Sequence, residues 1–324
     1  MQYDTSPILA QSLFPPTWGI DGDMPAIASP ASLDLPDRWQ FLEIEDWRSP
    51  LVLIGGVDSG KTTFARYCYR RLLSCHPSVG FIDLDVGQNS FGLPSTVGLG
   101  IGSTAEDPGF PPLVRRRQVF VGSVSPVGVV ARLLAALHRL LVAAAQMEVE
   151  TLVVDTSGFV DVTHGAADLK WAELEFLRPC TVAALQREAE LTSILEPLAH
   201  TAAFDLQILP VSDRVQTRSR EARRGYRARC YRQHFTTCQR IQIYLDELAV
   251  FQVGDWHPRQ LVALEDEEGF LLALGLIETL DGSLIEVLTP WTGEGELAAL
   301  RGGDLRIDPD TFQDSPLTAS GAAD

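Results

Sequence analysis

A chain of 324 residues with 45% hydrophobic and 21% charged residues exceeds the usual single-domain size, and its composition is that of an ordinary globular protein, neither disordered nor fibrous. The formal net charge of −17 and a pI near 4.7 exclude a protein that coats nucleic acid non-specifically, because counterion release needs a basic surface. Five scattered cysteines (Cys68, Cys75, Cys180, Cys230, Cys238), never spaced as Cys-x-x-Cys, argue for reduced, inert thiols over a zinc site or disulfide framework.

Residues 1–40 are rich in Pro, Ser, Ala and Asp with little periodicity, and predict a loosely ordered lead-in. The first residues lack the basic-then-apolar order of a secretory signal. The apolar stretch 127–147 is interrupted by Arg132, His138 and Arg139, so it reads as a packed helix and no membrane partner is expected. The expected location is the cytoplasm. From Leu51 the pattern becomes strand (LVLIGG), helix (KTTFARYCYRRLLS), strand (VGFIDLD). Three further β-prone runs follow at 151–158, 181–186 and 205–211, separated by helical stretches such as VVARLLAALHRLLVAAAQ and AELTSILEPLA. Apolar strands alternating with helices predict an α/β fold: a mostly parallel sheet with helices on both faces, spanning 41–240, that binds its ligands at the carboxyl ends of the strands. After Cys238 strand-like runs follow without long helices, and Asp281-Gly282 sits between two of them as a hairpin signal. This predicts a small, mostly-β C-terminal domain over 241–312 and a disordered tail over 313–324.

The strongest motif is Gly55-Gly56-Val57-Asp58-Ser59-Gly60-Lys61-Thr62, a complete GxxxxGK[ST] between a predicted strand and helix. Such a P-loop turns successive N–H groups toward phosphates, with Lys61 on the β- and γ-phosphates and Thr62 on Mg²⁺. Thr63 continues it. At the end of the next strand stands Asp83-Leu84-Asp85-Val86-Gly87-Gln88, where one aspartate can serve Mg²⁺ and the other can accept a proton from an acceptor hydroxyl. Asp155-Thr156-Ser157-Gly158-Phe159 follows the central strand: Asp155 can reach the metal's surroundings, Thr156 can bond phosphate or the incoming end, and Phe159 offers a stacking face. Nine arginines fall between Arg214 and Arg240 with one acidic residue, Glu221, while only two lysines, Lys61 and Lys170, occur in the chain. Beside a phosphate site this run reads as a lid (214–235), since the guanidinium fork suits phosphate and helical spacing pairs Arg220 with Arg224 and Arg223 with Arg227. A charge run taken alone is usually a solvated helix face.

Together these residues resemble the polynucleotide 5′-hydroxyl kinase family, the P-loop RNA kinases of eukaryotic tRNA and rRNA processing and their stand-alone archaeal relatives. GGVDSGKTT (55–63) looks like its nucleotide loop, and DLDVGQ (83–88) like its Walker B segment. The Gly122-Ser123-Val124-Ser125-Pro126 segment looks like the element that holds the substrate end, Thr156 to Phe159 like the Thr-x-Gly-Trp motif, and Arg220 with Arg224 like the Arg-x-x-x-Arg lid. Phe159 stands where the family has tryptophan, which keeps a stacking face and loses the indole donor. Arg214/Arg218 and Arg223/Arg227 share the lid spacing, so its register stays open.

The resemblance implies phosphorylation of a nucleic-acid 5′-hydroxyl, RNA before DNA, with ATP or GTP as donor and Mg²⁺ as cofactor. Lys61, Asp85, Arg220 and Arg224 would be catalytic. Thr62 and Asp83 would position the metal, and Gln88, Ser123, Ser125, Thr156, Gly158 and Phe159 would meet the acceptor. The alternatives are a nucleotide-binding scaffold that transfers nothing and a P-loop kinase of a small metabolite.

Overall fold

The computed structural model describes Trp39, residues 41–103 and residues 115–317. Of the lead-in expected over 1–40 only Trp39 is described, and it is buried against Phe64; of the tail expected to be disordered over 313–324, Asp314–Pro316 instead pair as a strand with residues 305–307, which give them backbone partners, and 318–324 lie outside the described residues. Two sheets carry the fold. The first orders its strands β4-β3-β2-β5-β1-β6-β7, where β1 is Leu51–Gly55, β2 Ser78–Asp83, β3 Thr96–Ser103, β4 Arg115–Phe120, β5 Thr151–Asp155, β6 Cys180–Gln186 and β7 Phe204–Pro210. The β2-β5-β1-β6-β7 neighbours are parallel, while β3 and β4 extend the sheet antiparallel. β3 and β4 were not among the strands expected from the sequence.

Helices cover both faces. Alternation along β1 sends Val52 and Ile54 to one cluster, under the helix Val130–Gln146, and Leu51 and Leu53 to the other, under Lys61–Leu73. These helices are α2 and α1 respectively. α1 buries Phe64, Ala65, Cys68, Tyr69 and Leu72 at helical spacing. The stretch 127–147 is the packed helix its charges imply, and among the described residues no helix is long and apolar enough to cross a membrane. α3, Ala166–Leu177, joins it on the same face. The run AELTSILEPLA is shorter as helix than its sequence implies: α4 spans only Thr192–Leu195, followed by a 3₁₀ turn at Glu196–His200 with its proline near the start.

The second sheet runs β14-β13-β10-β11-β12-β8, with β9 paired to β13. Its strands are β8 Gln239–Tyr244, β9 Ala249–Phe251, β10 Gln260–Glu265, β11 Leu271–Asp281, β12 Leu284–Thr289, β13 Ala299–Ile307 and β14 Asp314–Pro316. The β11–β12 hairpin pairs Asp281 with Leu284, so its loop residues are Gly282 and Ser283, one position beyond the Asp281-Gly282 signal. α5, Arg220–His234, carries the arginines. Its apolar side, Tyr231 with the following Phe235, packs into a cluster with Leu261, Leu274 and Leu305 of the second sheet. That contact sets the rotation of α5 about its axis and so decides which arginines face the first sheet.

Candidate active site

β1 delivers the chain into the phosphate loop and α1 takes it out. Gly60, at φ 87°, is the residue before α1 and occupies a left-handed conformation that a side chain would strain. The amino end of α1 brings the positive end of its dipole to the loop. Lys61 is buried and its Nζ donates to the Gly56 carbonyl at 2.9 Å. Burial pulls the pKa of this ammonium down, while the Asp155 and Asp85 carboxylates oppose that. The segment after β5 is pressed onto the loop: a Cβ on Gly158 would lie 2.9 Å from Val57 Cγ2 and 3.1 Å from Val57 N.

Three aspartates converge beside Thr62. Thr62 Oγ1 donates to Asp155 Oδ2 at 2.6 Å, and Asp155 Oδ1 is buried with no hydrogen-bond partner. Asp83 is its register partner on β2, but its oxygens are occupied: Oδ1 accepts from Asp85 N at 2.8 Å and Oδ2 from Ser90 N at 2.6 Å. Burial first, then Asp155 and Asp85, push the Asp83 carboxyl up to about 8. Asp83, expected to help position Mg²⁺, thus braces the turn after β2 with both oxygens. The uncommitted oxygen beside Thr62 belongs to Asp155, whose pKa is also raised by burial. A hydroxyl next to a buried carboxylate with a free oxygen fits a hard cation. Asp85 Oδ1 accepts from Gly87 N and Gln88 N, each at 2.9 Å. The Asp85 side chain lines the cavity above the loop.

That cavity measures about 1550 Å³ and is continuous from Trp39 past the phosphate loop to Gln233. Gln88, Ser125, Gly158 and Phe159 line it, as expected from the sequence. Thr156 and Ser123 do not. The Thr156 hydroxyl donates to the Leu53 carbonyl at 2.7 Å and ties β5 to β1, and the Ser123 hydroxyl donates to Ser125 O at 2.9 Å within a turn. Ser157 lines the cavity in place of Thr156. Its Oγ accepts from Lys170 Nζ at 3.3 Å, and Lys170 also pairs with Glu173 Oε2 at 3.0 Å. Both charged groups are buried. Phe159 packs one side against the core under α2 and α3.

The arginine segment closes the cavity. Arg214, Arg218, Arg220, Arg223 and Arg227 line it. Arg224 turns away, its Nη2 donating to the Asp314 carbonyl at 3.3 Å. Arg227 holds the same residue's carboxylate in a fork, at 2.8 and 3.0 Å. Of the pair Arg220 and Arg224, the structure thus brings only Arg220 to the cavity, and Arg223 joins it. Arg66, one helical turn beyond Thr62, also lines the cavity, and Asp83 and Asp155 oppose the lowering of its pKa by burial. The sequence reading passes over Arg66, although i, i+4 spacing from Thr62 marks it.

A family model described as mRNA cleavage and polyadenylation factor CLP1 P-loop matches residues 55–237. A polyribonucleotide 5′-hydroxyl-kinase of Methanocaldococcus jannaschii is 27% identical over 84% of this chain and 91% of its own. One of Thermococcus kodakarensis is 30% identical over 81% of this chain and 71% of its own. Among solved structures, that of a Clp1p–Pcf11p complex matches with a TM-score of 0.61 at 16% identity, over 81% of this chain and 75% of the matched one, a likeness of fold.

Proposed function

The chain belongs to the CLP1 P-loop family, and from this premise we propose that it phosphorylates the 5′-hydroxyl end of RNA with a nucleoside triphosphate as donor. The observation that carries the reading is the cavity. At about 1550 Å³ it exceeds the ~300–1,000 Å³ of an ordinary small-molecule pocket, and it joins the phosphate loop to Asp85, Ser125 and Phe159 in one volume. There is room for a donor nucleotide and for the end of a second, polymeric substrate. The polyribonucleotide kinases among its relatives support RNA as that polymer.

The triphosphate lies on the loop 55–62 with Lys61 on its terminal phosphates. Thr62 and Asp155 would hold Mg²⁺, which would supply neutralisation of triphosphate charge. Asp85 takes the proton of the 5′-hydroxyl through Oδ2, the oxygen not used by Gly87 and Gln88. The 5′-oxygen bonds to the γ-phosphorus, the bond from that phosphorus to the β–γ bridging oxygen breaks, and the nucleoside diphosphate leaves. Arg220 and Arg223 stabilise charge on the group in transit, as positioned cations do in phosphoryl transfer. Phe159 offers its face to the first base, and Ser157 a hydroxyl to the incoming end.

The test is transfer of labelled γ-phosphate from ATP and GTP, with Mg²⁺, to 5′-hydroxyl RNA and DNA oligonucleotides, with Lys61→Ala as control. Transfer to RNA that disappears in the variant is expected. Tight nucleotide binding without transfer to any oligonucleotide would rule the reading out.

A further inference from the structure

An acidic side chain in a phosphate loop opposes the charge the loop has to hold. Asp58 is such a residue, and it adopts φ 54°, the left-handed conformation that aspartate and asparagine tolerate better than most side chains. Its carboxylate is largely covered, with a side-chain exposure of 12%. Two donors reach the same oxygen, Oδ2: the backbone N–H of Arg218 at 3.0 Å and Arg223 Nη2 at 2.5 Å. The Asp58 carbonyl accepts from Arg187 Nη2 at 2.6 Å. Arg218 immediately precedes Ser219, the N-cap of α5, whose hydroxyl accepts from Ala222 N. The loop therefore grips the arginine helix at its first turn.

Two further polar contacts join this segment to the nucleotide loops. Arg218 Nη1 donates to Gln88 Oε1 at 3.0 Å, and the Tyr226 hydroxyl donates to Asn89 O at 3.0 Å. Of the acceptors Asp58, Gln88 and Asn89, Asp58 alone is charged. Arg223 is half used: Nη2 is on Asp58, while Nε is buried with no partner. A guanidinium fork with one arm on a carboxylate and another uncommitted can serve two anions at once.

We propose that Asp58 is a positioning residue: it anchors Arg223 at the phosphate loop and so holds the part of its guanidinium that lines the cavity ready for the phosphoryl group in transit, at the expense of nucleotide affinity. The inference rests on the kinase reading given above. It explains why a negative charge stands in the loop, since the charge serves the lid while a neutral side chain would suit the nucleotide better.

The experiment compares Asp58→Asn, Arg223→Ala and the double variant in nucleotide Kd, in kcat and in KM for ATP and a 5′-hydroxyl RNA oligonucleotide. Asparagine keeps the backbone conformation and an acceptor for the Arg218 amide, and removes only the charge. The expected result is ATP bound at least as tightly as by the wild type, with kcat lower by about 10- to 100-fold, below the loss for a full arginine finger. The double variant should be no slower than Arg223→Ala, because Asp58 acts through that arginine. Nucleotide affinity falling in parallel with kcat, or losses that multiply in the double variant, would overturn the proposal. Amide hydrogen exchange over 218–226 reads the anchor without turnover: the Asp58→Asn variant should exchange faster there, and unchanged exchange would sink the idea. If the wild type transfers no phosphate, the kinase reading fails, while the exchange measurement still decides whether Asp58 anchors the helix.

Discussion

The Thr62 hydroxyl donates a 2.6 Å hydrogen bond to Asp155 Oδ2, joining the first turn of α1 to the end of β5. Asp155 is 1% exposed and its second oxygen has no partner, so the site holds a buried carboxylate poorly compensated by protein groups. Asp155→Asn keeps the bond from Thr62 and removes the charge. Its melting temperature without Mg²⁺ should equal or exceed that of the wild type, and phosphoryl transfer should drop by about 100-fold or more. Melts and initial rates over a Mg²⁺ titration check both. A destabilised variant with full activity would place the metal elsewhere.

The buried Lys170–Glu173 pair makes a second prediction. Lys170→Met strands Glu173 in the core, and breaking such a pair costs about 3–5 kcal/mol. The double change Lys170→Met with Glu173→Leu removes both charges and should fold with near-native stability. Transfer by the double variant should still fall, by roughly 10-fold, because Ser157 loses the donor that orients its hydroxyl toward the cavity. Ser157→Ala should show the same loss, and adding it to the double variant should change nothing further.

These residues mark where the sequence is readable and where it is not. The phosphate loop is contiguous, so Gly55 to Thr62 announce both geometry and chemistry. Asp155 depends on β5 lying between β2 and β1, a pairing of segments far apart in the chain, which is why Asp83 at the end of its own strand looks equally suited to the metal. Thr156 and Ser157 are neighbours on one short segment, and only the fold decides that the first turns to Leu53 and the second to the cavity. The rotation of α5 is likewise set by its packing on the second sheet, a contact no local pattern reports.

That rotation separates the two arginines matched to the lid motif. Arg220 lines the cavity, whereas Arg224 donates to Asp314 O. Arg220→Ala should lower kcat by about 100-fold or more with little change in nucleotide binding. Arg224→Ala, losing one half-buried bond away from the cavity, should stay within roughly 3-fold. Equal losses in the two variants would show that α5 turns during the reaction.

His234 should confer acid sensitivity on the seat of α5. It is buried against β11, where its Nε2 lies 3.2 Å from Leu274 N and 3.3 Å from Leu274 O, and burial pulls its pKa down to about 4 from 6.5. The unfolded chain then binds more protons than the folded one between these values, so stability is lost as pH falls from about 6.5 toward 4. The full span corresponds to on the order of 3 kcal/mol. His234→Gln should flatten that part of the stability–pH curve, as measured by urea denaturation between pH 4 and 7.

Phe159 is where the acceptor base should be felt. Its outer face lines the cavity while its inner side packs on the core, so the ring is held without needing a partner. Stacking of a base on an aromatic side chain is worth about 1–3 kcal/mol. Phe159→Ala should therefore raise KM for a 5′-hydroxyl RNA oligonucleotide by about 10-fold while leaving KM for ATP unchanged. Phe159→Trp enlarges the stacking face and adds an indole N–H, and should lower the oligonucleotide KM. A Phe159→Ala variant whose ATP and RNA constants move together would mean that the ring only supports the phosphate loop, and that the base is held along the Arg229 and Gln233 side of α5.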